Sequence, residues 1–99
     1  MDRAIDKARL ELLAAISKLV KVGRDSRDFG GREQGAIVIL EAAAMDYPTN
    51  PNKLVASVRL AHRVLGAPGD FGYSTPEGCA MQDLYQAFNL LVRCIDGVS

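Results

Sequence analysis

Ala36-Ile37-Val38-Ile39-Leu40-Glu41-Ala42-Ala43-Ala44-Met45 separates an all-helical chain from a mixed one. Its first half is rich in β-branched residues and suits a buried strand. Its second half is strongly helix-favouring. As a helix over 32–46, the segment puts Ile37, Leu40, Ala44 and Tyr47 on one face. Pro48 ends it, because the residue before a proline avoids helical angles.

Working outward, the flanking segments are helical by the same test. Toward the N-terminus, Asp2 is a good N-cap and Gly23 a good helix stop. Between them Ile5, Ala8, Leu12, Ala15, Leu19 and Val22 recur at steps of three and four, with Leu13, Ile16 and Val20 alongside. A stripe that wide suits a bundle helix, not a two-stranded coiled coil. After residues 36–45, Asn50 caps and Pro51 opens a third helix, with Leu54, Val58, Ala61 and Leu65 as its stripe and Gly66 as its stop. Its other face carries Arg59, His62 and Arg63. Thr75-Pro76-Glu77 opens a fourth, striped by Met81, Leu84, Phe88, Leu91 and Ile95 and stopped by Gly97.

The two connections share a motif. Asp28-Phe29-Gly30 recurs as Asp70-Phe71-Gly72, each copy between a glycine stop and a helix start. Phenylalanine can plug the open end between helices, aspartate can bond nearby backbone, and glycine can take positive φ. The expectation is an all-α, four-helix bundle of two related helical hairpins in one domain spanning 1–99, with both plugs at one end. The second loop and helix then form an internal pseudo-repeat of the first. Leu12, Leu19, Leu40, Val58, Leu84, Phe88 and Leu91 are the expected core. The Asp-Phe-Gly triplets carry no kinase meaning, since the glycine-rich loop, strand lysine and catalytic loop are absent.

Composition narrows the function classes. The chain has 99 residues, 48% apolar and 24% charged, with zero net charge. Neutrality removes the general attraction to nucleic acid or an anionic membrane. The charge is uneven: residues 1–32 hold eight basic and five acidic side chains, whereas 66–99 hold Arg93 against four acids. Neighbouring helices can pair these charges within one chain, or two copies can pair them across a two-fold contact. Cys79 and Cys94 fall on one helix about 22 Å apart, beyond disulfide reach, so free thiols and a cytoplasmic location are expected. The longest apolar run is far too short to span a membrane.

Three sites compete. Arg24, Arg27 and Arg32 surround Gly30-Gly31 just before a helix, where free backbone N–H groups attract anions. A nucleotide, a phosphate or an acidic partner surface fits such a loop. Tyr73, in the second loop, suits a partner-binding surface. Cys79 near a helix N-terminus, with His62 and Asp70, has the residue types of a thiol enzyme. No metal-ligand spacing or cofactor motif is present. The leading expectation is a small non-catalytic binding or regulatory protein of adaptor or inhibitor type, without cofactor, contacting another protein and forming a homodimer. Leu10 and Leu13 lie beside the main seam of the first helix and are the expected dimer contacts. An anion binder at the Gly-Gly loop is the first alternative, the Cys79 enzyme the second.

Overall fold

The computed structural model describes residues 3–47 and 52–95. It contains four α-helices: α1 (Arg3–Asp25), α2 (Gly31–Met45), α3 (Asn52–Leu65) and α4 (Pro76–Ile95). A 3₁₀ turn, Pro68–Phe71, interrupts the loop between α3 and α4. Residues 36–45 are helical. The expected caps at Asp2, Asn50 and Pro51 and the stops at Pro48 and Gly97 lie outside the described residues.

α1 is the spine. Its 23 residues span about 35 Å and set the 42 Å long axis of the molecule. It packs against both α4 and α2, and α3 packs chiefly against α2. Leu12, Ile16 and Leu19 of α1 meet Ile37 and Leu40 of α2, Leu54 and Val58 of α3, and Met81, Leu84 and Leu91 of α4 in one fully buried cluster. Each such side chain contributes roughly 1.5–3 kcal/mol on leaving water. Six of the seven expected core residues are fully buried; Phe88 is the exception, half-buried between α4 and α3.

The two hairpins are not alike. α1 and α2 pack along their length, but α3 and α4 touch only lightly and leave a cleft between them. The reason is connection length. Five residues join α1 to α2, whereas the α3–α4 loop runs ten residues and inserts the 3₁₀ turn against α4.

The two Asp-Phe-Gly loops do meet at one end. Phe29 is buried and packs edge-on against Phe71, ring centroids 5.0 Å apart. Ser26 Oγ donates to Glu77 Oε2 at 2.6 Å, and Gln34 Nε2 donates to the Gly23 carbonyl at 2.6 Å. The local chemistry differs from expectation in two places. Gly23 does not stop α1, which continues to Asp25; its missing side chain instead admits Ile37 and Phe29, which an added Cβ would meet at 2.9 and 3.1 Å. Of the two triplet glycines, only Gly72 has positive φ (+88°); Gly30 is extended, with φ −80°. Gly66 is a true stop at φ +76°.

Candidate functional site

At the Gly30-Gly31 helix start the chain's own acid takes one N–H. Glu33 Oε1 accepts the Gly30 N–H at 2.9 Å, as a capping-box glutamate does. Arg24 turns away and pairs with Glu41, ten residues and about 15 Å up α2 from Gly31. The three arginines therefore do not converge: Arg24 stands at the α1–α2 seam, while Arg27 and Arg32 are exposed. Tyr73 is 65% exposed, its ring lying over Gly69, where an added Cβ would meet it at 3.0 Å.

The thiol constellation is dispersed as well. Cys79 Sγ donates to the Tyr73 carbonyl at 3.2 Å. Asp70 Oδ2 accepts the Ala67 N–H at 3.2 Å and fastens the 3₁₀ turn. His62 packs edge-on to Tyr85, six residues beyond Cys79 on α4. Cys79 and Cys94 are both free. Among the described residues no three His, Cys, Asp or Glu side chains cluster as metal ligands, and no helix is long and apolar enough to cross a membrane.

Two other surfaces stand out. The first is the outward face of α2. Ala36, Ile37, Leu40 and Ala43 fill the core from one side of this helix. On the other side Val38 is 63% and Met45 77% exposed, with Gly31 and Gly35 open to solvent in the same stripe. An added Cβ at either glycine would meet nothing within 4 Å, so no contact inside the chain explains them. Met45 also borders a groove of about 470 Å³ between α1 and α2, floored by Ile16, Val20 and Ala44. Of the expected dimer residues, Leu10 is 61% exposed, but Leu13 is half-buried against the core.

The second is the α3–α4 cleft, about 400 Å³, walled by Arg59, His62 and Arg63 on α3 and by Tyr85, Phe88 and Asn89 on α4. Arg59 lies over the Phe88 ring, 5.8 Å from guanidinium carbon to centroid. Tyr85 donates its hydroxyl to the Gly66 carbonyl at 2.8 Å. Burial, with a smaller push from Asp70, raises the Tyr85 phenol from 10.0 to about 12. The basic face of α3 is legible in the sequence at its i, i+3, i+4 spacing; what stands opposite it on α4 is not.

The uneven charge is partly resolved within the chain. Lys18 of α1 bonds Asp83 of α4 at 2.5 Å, and that bond holds the ammonium above its usual pKa. Both groups are about half exposed, so the pair contributes little to stability. No protein-family profile, curated protein or solved structure matches this chain.

Proposed function

We propose that this chain is a non-catalytic binding protein that works through protein–protein contact, first with a second copy of itself. The observation that carries the reading is the outward face of α2. A helix apolar on every side is normally buried on every side. Here five of its fifteen residues, Gly31, Arg32, Gly35, Val38 and Met45, are exposed, and Gly35 costs about 1 kcal/mol relative to alanine in an exposed helix interior without any intramolecular gain.

The face is complementary to its own reverse. Gly31, Gly35, Val38, Ala42 and Met45 are spaced four, three, four and three. Turned end for end about a two-fold axis at Val38, the stripe sets Met45 over the second copy's Gly31, large against small, and Gly35 opposite Ala42. The same rotation brings Arg32 to the other helix's last turn, where the carbonyl ends are negative. Such self-matching is what an isologous dimer requires. The α1–α2 groove beside Met45 adds apolar area at the rim. A dimer of this kind presents its remaining surfaces twice, which suits an adaptor or an inhibitor.

Sedimentation equilibrium tests the reading. Wild type is expected at twice the 10.7 kDa chain mass. Val38→Glu places two like charges across the axis and is expected to give a folded monomer, since the position is 63% exposed. A wild-type monomer at high micromolar concentration, or a Val38→Glu variant as dimeric as wild type, refutes it.

A further inference from the structure

Arg59, His62 and Arg63 are neighbours on one face of α3, and Tyr85, Phe88 and Asn89 repeat the same spacing on α4. The two rows face each other across the cleft in antiparallel register, Arg59 on Phe88 and His62 on Tyr85, one turn apart. Fully buried Val58 lies at the base. The volume, about 400 Å³, falls within the range of small-ligand pockets.

The cleft sets two arginines, without ion pairs among the described residues, against aromatic rings. Lys18, Arg24 and Lys53 each meet a carboxylate. In the cleft no carboxylate lines either wall, and among the described residues neither Arg59 nor Arg63 has an ion-pair partner. Facing them are two rings and an amide. Arg59 lies over the Phe88 ring at 5.8 Å without an ion pair among the described residues, so its N–H fork is open to grip a carboxylate in two places. Tyr85 is committed to the Gly66 carbonyl and stays neutral at physiological pH, so it neither competes for an anion nor repels one.

We infer that the α3–α4 cleft is a binding site for a small aromatic carboxylate. The flat body lies along Phe88 above Val58, the carboxylate is held between Arg59 and Arg63, and the Asn89 amide fixes the orientation. This site is on a different face from the α2 stripe and stands whether or not the chain dimerises.

Titration of ¹⁵N-labelled protein with 2-naphthoate, read from amide shifts, tests the assignment. Saturable shifts centred on Arg59, Arg63 and Asn89 are expected. Arg63→Ala is expected to weaken binding about tenfold, the usual loss of one charged hydrogen-bonding group. Arg59→Ala should do the same. If it loses helicity on losing Phe88, Arg63→Ala carries the test alone, since no ring contact holds Arg63. Arg27→Ala, an exposed arginine at the α1–α2 loop, is expected to leave the Kd unchanged, and uncharged 2-naphthamide to bind about tenfold more weakly than 2-naphthoate. The assignment is overturned by any of four results: amide and acid binding equally, inorganic phosphate matching 2-naphthoate, shifts mapping to the Arg27 loop or the α1–α2 groove, or no saturation by about 10 mM.

Discussion

Gly35 and Gly78 stand at matching places in the sequence, each early in a helix that follows an Asp-Phe-Gly loop, yet replacing them with alanine should move stability in opposite directions. Gly35 is exposed, and its added Cβ touches nothing within 4 Å. Alanine there gains only helix propensity, about 1 kcal/mol. Gly78 is buried in the first turn of α4, where an added Cβ would stand 1.9 Å from the Gly72 carbonyl oxygen and 3.2 Å from that of Pro68. Gly72 cannot retreat cheaply. Its φ is +88°, its N–H bonds the Gly69 carbonyl at 3.2 Å, and its carbonyl oxygen lies 2.8 Å from the Thr75 hydroxyl that caps α4. Overpacking of this kind costs about 1–3 kcal/mol, and each cap bond lost adds about 1. Against the propensity gain, Gly78→Ala should destabilise by about 2 kcal/mol. For a domain of this size 1 kcal/mol is about 4–8 °C in Tm, so the two variants should lie well over 10 °C apart. Thermal unfolding by circular dichroism checks this. The Val38→Glu background should be used, so that any contact through the α2 face does not enter. A Gly78→Ala variant as stable as its parent, or two shifts of the same sign, refutes the packing argument.

Phe29→Ala should cost about 3–5 kcal/mol, because the ring is buried against Phe71 and Gly23, and Phe71→Ala should cost less, its ring being only half-buried; urea unfolding midpoints give the comparison. Tyr85 sets an alkaline limit. Its folded pKa is raised, so the stabilisation it brings is complete below pH 10 and lost as pH rises toward about 12. Tyr85→Phe should lower stability by about 1 kcal/mol at neutral pH, through the lost bond to Gly66, and flatten the decline between pH 10 and 12 in pH-dependent denaturation.

The helices were legible because their signals are local. Periodicity over α1, α3 and α4, the Gly66 stop and the Thr75 cap each rest on a few adjacent residues, and the structure has them as read except at the end of the α4 stripe, where Phe88 is half-buried and Ile95 is 48% exposed. The meeting of the Phe29 and Phe71 plugs was legible too, since two loops of like design in an antiparallel bundle fall at one end. What failed depends on partners distant in sequence. Gly23 has the composition of a stop, but Ile37 needs its bare Cα, and that demand outweighs glycine's tendency to end a helix. Arg24, Arg27 and Arg32 are close in the chain, yet a helix terminus sends them in different directions, and Glu41 captures one of them.

The same distinction explains why the arginine loop looked like a site and the α3–α4 cleft did not. Sequence proximity brings charges near each other in number, but Arg24 belongs to α1 and Arg32 to α2, and the turn between the helices sends them apart. Glu33 takes the Gly30 N–H and Glu41 takes Arg24. In the cleft the cations share one helix face. Arg59 and Arg63 are fixed one turn apart by α3, and what they face is fixed by the register of α4, where Phe88 and Asn89 arrive in place of acids. What decides is the residue placed opposite: Glu41 stands across from Arg24 and Asp83 across from Lys18, whereas no carboxylate lines the cleft beside Arg59 and Arg63. That register follows from how the long α3–α4 connection and its 3₁₀ turn set one helix beside the other, a property of the folded chain that no single segment of it encodes.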